Sequence, residues 1–158
     1  MADPGAEGAL GGTPRRYGVG RTVRIDRQQA REWFGRARVA RLASADTSGR
    51  PHLVPITFAV AGDVVVTAVD HKPKRTTQLR RLRNVVENPQ VTVLADHYDD
   101  DWDRLWWVRA DGRAEVADAP DHPDLVAALV AKYPQYREER PNGRLIVVRV
   151  DRWSGWRP

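Results

Sequence analysis

Apolar residues recur at two different spacings along this chain, and the spacing changes from one segment to the next. Ala30, Trp33, Phe34 and Ala37 follow the i, i+3, i+4, i+7 pattern of a helix, and Asp26 stands where its N-cap belongs. Runs rich in β-branched and aromatic residues predict strands at 38–45, 50–60, 64–69, 91–95, 105–116 and 144–150. The first three are linked so tightly that they are expected to form an antiparallel meander.

Two further helices are predicted between the later strands. The first spans 75–87, begins near Thr76 or Thr77, and is stopped by Asn88-Pro89. The second spans 120–133. Their inward residues are predicted to be Leu79, Leu82 and Val86 in the first and Leu125, Ala128 and Leu129 in the second. About six strands with helices inserted late predict an antiparallel barrel of the α+β class rather than alternating βαβ units.

The length of 158 residues fits one domain. Residues 1–23 are rich in Gly and lack apolar periodicity, so they are predicted to be a flexible tail that ligand binding does not require. The folded domain is expected over 24–158. No apolar run approaches the ~20 residues of a membrane helix, and no export signal is visible, so a cytoplasmic location is expected. The absence of cysteine excludes disulfides, thiolate metal sites and cysteine nucleophiles.

The positive charge of the chain is concentrated in one segment. The formal net charge is +5, and residues 71–83 carry six Lys or Arg and no acid. Lys72, Lys74 and Arg75 precede the hydroxyls of Thr76 and Thr77 near the predicted helix start, where free backbone N–H groups favour anions. These residues are predicted to form a phosphate cradle, and a solvated basic loop is the alternative.

Most other chemistries lack a matching pattern in the sequence. The four histidines show no metal-ligand spacing, and the alternating Asp99, Asp101 and Asp103 lack the Gly and Glu of a calcium loop. No serine lies in a nucleophile-elbow context, and no glycine-rich nucleotide motif occurs. The high pI raises a nucleic-acid-binding alternative, although no recognised motif accompanies it.

Trp106 and Trp107 are adjacent on one predicted strand, so their side chains face opposite sides of the sheet. One is expected to fill the barrel. The other is predicted either to pack, to stack on a planar ligand, or to meet a second subunit.

Five short motifs in a fixed order resemble the pyridoxamine 5'-phosphate oxidase-like split-barrel superfamily, and within it the actinobacterial group of F-420-dependent enzymes. They are ARLAS at 40–44, GRPHLVPI at 49–56, VTA at 66–68, KPKR at 72–75 and NPQVTVL at 88–94. The resemblance implies a homodimer of six-stranded split β-barrels with peripheral helices, holding two cofactors at the subunit interface.

The resemblance also implies where the cofactor binds. The residues expected near its ring are Val54, Pro55, Ile56 and Thr57. Thr67, at the end of the third strand, is also assigned to cofactor binding. The phosphate and glutamyl tail are expected against Lys72, Lys74, Arg75 and Thr76, and Trp106 is assigned to the cofactor groove.

The expected function is hydride transfer between coenzyme F-420 and a small organic substrate. The deazaflavin carries the hydride, so no catalytic side chain and no metal are assigned. The alternatives are an FMN-dependent oxidase of the same fold and a non-enzymatic protein that binds F-420 or a flavin.

Overall fold

A computed structural model describes residues 23–69 and 79–158 of the chain. This part contains strands β1 (Val23–Arg24), β2 (Ala40–Ala45), β3 (Pro51–Ile56), β4 (Ala59–Ala61), β5 (Val64–Ala68), β6 (Gln90–His97), β7 (Trp106–Asp118) and β8 (Arg144–Arg157). Its helices are α1 (Arg27–Arg36), α2 (Arg80–Glu87), α3 (Pro123–Lys132) and α4 (Gln135–Glu138). Single 3-10 turns lie at Trp102–Arg104 and Ala119–Asp121.

The strands form one antiparallel sheet that must curl on itself. Seven strands follow the order β3-β2-β6-β7-β8-β5-β4, and β1 pairs with the end of β8. The two ends of this order, β3 and β4, are consecutive in sequence and joined only by Thr57 and Phe58. A link of two residues spans only about 7 Å, so the opposite edges of the sheet must approach each other there. The predicted α+β antiparallel class is confirmed, and the path contains seven strands where six were expected.

The prediction of one continuous strand over 50–60 is wrong, because the chain leaves the sheet at Thr57 and Phe58. β3 pairs with β2 and β4 pairs with β5, so the two halves belong to opposite edges of the sheet. The expected meander is therefore two separate hairpins. The phenol of Tyr133 accepts the Phe58 N–H at 3.0 Å, which replaces a bond of the ladder. Local alternation cannot reveal a partner 75 residues away.

The last strand is longer than predicted and contains a bulge. It continues beyond Val150 to Arg157, and it pairs with β7 along almost its whole length. Asp111 lies opposite Arg152 whereas Gly112 lies opposite Val150, so Asp151 is an extra residue. Such a bulge bends the strand and increases its twist, which lets one strand serve both halves of a curled sheet.

Two apolar cores lie on the two faces of this sheet. The larger fills the inside of the curl, and Phe34 of α1 contacts Phe58 and Trp153 there at ring centroid distances of 4.8 and 5.2 Å. The smaller lies between the outer face of β5 and β8 and the helix α3, whose Val126 and Leu129 are buried. β8 contributes to both cores, which explains why all four residues from 145 to 148 are buried.

α1 matches its prediction. α3 begins at Pro123 rather than at 120, and its buried residues are Val126 and Leu129, with the predicted Leu125 and Ala128 partly buried. α2 also differs in its start and its inward face. Asp26 caps α1 by accepting the Gln29 N–H at 2.9 Å, as predicted. α2 begins at Arg80 rather than near Thr76 or Thr77, since Leu79 is its extended N-cap. Its buried residues are Asn84 and Val85, and Val86, which was predicted to face inward, is 74% exposed. The Asn88-Pro89 stop is confirmed.

Candidate functional site

A cleft of about 710 Å³ opens where the sheet divides between β3 and β4. Four segments line it: Arg38 and Val39 before β2, Thr57 in the β3–β4 link, Ala68 and Val69 at the end of β5, and parts of 133–144. The cleft thus exists because the chain leaves the ladder at residues 57 and 58. Residues 134–143, which follow Tyr133 in the sequence, form the wall of the cleft opposite Thr57.

Tyr133 forms the floor of the cleft and joins two chain segments there. Its hydroxyl accepts the Phe58 N–H and lies 2.9 Å from the carbonyl oxygen of Arg38 and 3.0 Å from that of Phe58. A phenol has one proton, so it donates to one of these carbonyls at a time. Burial raises the pKa of Tyr133 and outweighs the opposing effects of the Phe58 backbone and Arg38. The phenol therefore stays neutral and keeps its donor at physiological pH.

Tyr136 lies one helical turn further on and faces the β3–β4 link across the cleft. Its hydroxyl is 2.9 Å from Thr57 Oγ1, and either group can donate. The rings of Tyr133 and Tyr136 meet edge to face, with their centroids 5.7 Å apart. The cleft therefore combines aromatic walls with hydroxyl groups that both donate and accept hydrogen bonds.

The rim of the cleft carries more positive than negative charge. Arg38, Arg140 and Arg144 line it together with one carboxylate, Glu139. Arg144 is also 3.4 Å from Asp118. A planar ligand with an anionic extension fits this combination of aromatic floor, hydroxyl groups and arginine rim.

Val69 of the cleft lining precedes the predicted phosphate cradle in the sequence. Val69, whose N–H donates to the carbonyl oxygen of Arg144 at 2.9 Å, is the last described residue before 70–78. The predicted site residues Lys72, Lys74, Arg75 and Thr76 lie outside the described residues.

The predicted ring-binding residues of β3 are distributed over both faces of the sheet. Ile56 is buried in the inner core, and Val54 is partly buried against the same core. Pro55 points to the opposite face and is exposed. Thr57, which has left the strand, is the one of these four that lines the cleft.

Thr67 and Trp106 lie outside the lining of the cleft. Thr67 is 3% exposed, and its hydroxyl is 3.5 Å from the Ala68 carbonyl oxygen. Trp106 packs edge-on against Trp33 at 5.6 Å and lies parallel to the His97 ring at 6.4 Å. Trp107 faces the other way and is 36% exposed.

Sequence reasoning did not identify Arg38, Tyr133, Tyr136 and Arg140 as site residues. Arg38 and Tyr133 are 95 positions apart, and only the curl of the sheet brings them together. The local sequence offers one signal, which is the pair of tyrosines at 133 and 136 on either side of Pro134. On its own this pattern indicates only the end of a helix.

A buried ammonium group lies behind the cleft floor. Lys132 Nζ is 3.6 Å from the centroid of the Phe58 ring and has no hydrogen-bond partner among the described residues. Burial, with the nearby Arg38 guanidinium as a smaller cause, lowers the pKa of Lys132 to about 8. Its backbone carbonyl accepts a bond from Arg38 at 3.0 Å.

The sequence profile described as "Pyridoxamine 5'-phosphate oxidase" matches residues 27–157, which cover almost all of the described fold. The chain belongs to this family. The match includes the cleft lining and the segment of the predicted cradle.

Solved structures similar to this pyridoxamine 5'-phosphate oxidase family member include proteins named for flavin and for heme. A FAD-binding protein from Mesorhizobium loti is 18% identical with a TM-score of 0.65, covering 87% of this chain and 98% of that one. The FAD-binding protein from Mycobacterium smegmatis is 18% identical with a TM-score of 0.60, covering 84% and 94%. The heme storage protein HutZ from Vibrio cholerae is 16% identical with a TM-score of 0.60, covering 79% and 87%. At these identities the likeness shows a shared fold. No curated protein matches the sequence.

The outer face of the sheet in this family member carries a second polar cluster. Asp111 accepts a bond from Thr92 at 2.9 Å and faces both Arg109 and Arg152 at 3.0 Å. Burial is the largest influence and raises the pKa of Asp111, but the bonds from Thr92 and the two arginines together hold it below its usual value. Arg41 pairs with Asp96 on the same face. A shallow hollow of about 370 Å³ lies beside Asp111.

None of the helices in 23–69 and 79–158 is long and apolar enough to cross a membrane. Within the same ranges, no three His, Asp or Glu side chains are grouped in a way that would hold a metal ion.

Proposed function

We propose that this chain binds a flavin-type ring in the cleft at the β3–β4 division and acts as an oxidoreductase, with the deazaflavin F-420 as the preferred cofactor. The observation that carries this is the composition of the cleft: about 710 Å³ of space with a tyrosine floor, the Thr57 and Tyr136 hydroxyls and an arginine rim. Family membership and the flavin named in two similar structures support a flavin-type ligand.

The preference for F-420 rests on the distribution of cations. FMN ends in one phosphate, whereas F-420 continues into a longer anionic tail. Arg140 and Arg144 line the cleft, and Val69, whose N–H bonds to the Arg144 carbonyl oxygen, precedes Lys72, Lys74 and Arg75 in the sequence. We propose that these cations together serve an anionic tail longer than one phosphate.

The protein's contribution to such a reaction is binding and orientation. A bound deazaflavin would supply a hydride from its ring carbon 5. Tyr133 holds the link that carries Thr57 through a buried hydrogen bond, so the Thr57 hydroxyl would be fixed in place to contact the ring. The aromatic floor would support the ring and exclude water beneath it.

An FMN-dependent oxidase and a non-enzymatic cofactor-binding protein are the competing functions. Two similar structures are named FAD-binding proteins, which supports a flavin as the cofactor. A third is named a heme storage protein, which supports a protein that binds without catalysis. Turnover of reduced F-420 with a panel of conjugated acceptors separates the first proposal from a protein that only binds.

We also propose that two copies pair, with the curled sheet closing as the split barrel of the family. The outer face of β2, β3, β6 and β7 carries exposed apolar residues, among them Leu53 at 66% and Trp107 at 36% exposure. The Asp111 cluster lies on the same face. Light scattering at micromolar concentration that found only a folded monomer would contradict this pairing.

The decisive binding experiment neutralises Lys74 and Arg75 together, to Gln in both positions. Charge-assisted hydrogen bonds contribute roughly 1.5–3 kcal/mol each, so F-420 binding should weaken by about a hundredfold or more. A tail-less deazaflavin should bind the variant as it binds the unaltered chain. Tryptophan fluorescence titration measures both.

The matched control removes the same charge elsewhere, as Arg83→Gln with Arg113→Gln. Both side chains are exposed and lie away from the cleft lining. Equal weakening by the two double variants would mean that net charge alone attracts the cofactor. Unchanged F-420 binding by the Lys74 and Arg75 variant would place the tail elsewhere.

A further inference from the structure

The wall formed by 134–143, here called the α4 segment, is bonded to the body through its backbone near its two ends, by the Tyr136 N–H to the Tyr133 carbonyl oxygen at 3.0 Å and by the Ala119 N–H to the Gly143 carbonyl oxygen at 2.8 Å. All of it is described, and no side chain in it is buried. Its helix is a single turn, with the Arg137 N–H bonded to the carbonyl oxygen of Pro134 at 2.9 Å and the Glu139 N–H to that of Gln135 at 3.2 Å. A single turn is not stable alone, because nucleation costs more than its few bonds return.

The side chain that holds this turn against the body is Tyr136. It is partly buried, it packs edge-on against Tyr133, and its hydroxyl is bonded to Thr57 at 2.9 Å. Tyr133, by contrast, is 5% exposed and fixed to the backbone of residues 38 and 58. A fixed residue and a residue on an exposed single turn therefore lie three positions apart, and local opening is expected in the exposed turn.

We propose that the Tyr136–Thr57 hydroxyl pair is a latch that holds the α4 segment across the cleft as a flap. When the pair separates, the turn is no longer bonded to the β3–β4 link through these hydroxyls, and the segment opens between its attachments at Tyr133 and Gly143. When the pair re-forms, the wall of the cleft is restored. Arg140, which lies on the flap, moves with it to and from the rim.

The consequence for ligand exchange rests on the proposed function, since it requires a ligand in the cleft. A flap that must open both for entry and for exit changes the association and dissociation rates in parallel. A residue that merely contacts the ligand changes mainly the dissociation rate and therefore the Kd. This difference separates a latch from an ordinary contact.

The first experiment uses the full chain without ligand. Hydrogen exchange is followed at the Arg137 and Glu139 amides, together with tryptic cleavage of the Arg137–Glu138 bond. Tyr136→Phe and Thr57→Val should each speed both processes about three- to tenfold, as the loss of one hydrogen bond implies. Thr57→Ser keeps the hydroxyl and Tyr98→Phe alters an exposed tyrosine, so neither should change them. Unchanged exchange and cleavage in Tyr136→Phe would overturn the latch.

The second experiment measures binding of FMN and of F-420 by stopped flow. In Tyr136→Phe the association and dissociation rate constants should both rise. A rise confined to dissociation would overturn gating and make Tyr136 a contact residue. If neither cofactor binds the unaltered chain while Tyr136→Phe still speeds ligand-free exchange, the latch stands and the proposed cofactor function fails.

Discussion

Replacing Lys132 by Met should stabilise the protein at pH 7. The ammonium group is buried over the Phe58 ring, and it has no hydrogen-bond partner among the described residues. Met keeps most of the apolar stem and removes the charge. The balance of two opposing effects, desolvation of the ammonium and its attraction to the ring, decides the size of the change.

The pKa of Lys132 sets the upper limit of that change. A fall from 10.5 to about 8 is about 2.5 pKa units, and at about 1.4 kcal/mol per unit this makes the charged form roughly 3.4 kcal/mol less favourable than in the unfolded chain. The residue is only partly buried, so solvent screening reduces this figure. Attraction to the Phe58 ring returns about 1–2 kcal/mol. The expected net gain from Lys132→Met is therefore about 1–2 kcal/mol.

The pH dependence gives the prediction a second, independent signature. Since the folded pKa is lowered, the unfolded chain binds more protons between about pH 8 and pH 10.5, and the stability of the unaltered chain rises across that window. The advantage of Lys132→Met should be complete below pH 8 and vanish above 10.5. Urea unfolding at pH 7 and pH 10.5 measures it, with Arg113→Met as the exposed control. A variant less stable at pH 7, or a difference independent of pH, would refute the reasoning.

Three further predictions use ordinary unfolding measurements. Gly112→Ala should cost about 1–3 kcal/mol in thermal unfolding, because a Cβ there would overlap a carbonyl oxygen of β8, whereas Gly35→Ala in α1 has room and should not destabilise. Burial, with two arginines of α2 as smaller causes, lowers the pKa of His52. Stability should therefore fall as the pH drops below 6.5, and His52→Gln should remove that part of the fall between pH 7.5 and 5.5 in urea unfolding. Tyr133→Phe should cost about 1–3 kcal/mol in urea unfolding, by leaving a buried N–H unpaired, and Tyr98→Phe should be neutral.

Most elements of this fold could be predicted from the sequence because their signals are local. The α1 periodicity, the Asp26 cap and the β-branched strands each depend on neighbouring residues. The turn at 46–49 is equally local, with Gly49 at φ +79° and its N–H bonded to the carbonyl oxygen of Asp46 at 2.9 Å. Here local propensity and tertiary structure agree.

The errors occurred where a distant residue decides the local conformation. An alternating apolar pattern runs through 50–60 and predicts one strand. In the structure the Phe58 N–H donates to the Tyr133 hydroxyl instead of to a neighbouring strand, so the segment forms two strands. The end of β8 was assigned to Val150, because a bulge depends on the register with β7. The inward face of α2 was rotated by one residue, since a helix of eight residues offers few positions to define its apolar stripe.

The candidate site was the least predictable part for the same reason. Thr57 was identified through the family resemblance, whereas the cleft that it lines also requires Arg38 and Tyr136, which come from separate parts of the chain. The predicted cradle from Lys72 to Thr76 lies outside the described residues and stays a prediction.

A single irregularity accounts for both the curl of the sheet and the position of the cleft. The chain leaves the ladder at Thr57 and Phe58 because Tyr133 supplies the missing hydrogen-bond partner, and this requires α3 to end beside the link. β5 ends at the same opening, where Ala68 and Val69 line the cleft. The far wall, 134–143, contributes no buried side chain. Substitutions in that wall can therefore change the cleft lining at little cost to the core, whereas a change at Tyr133 alters the fold itself.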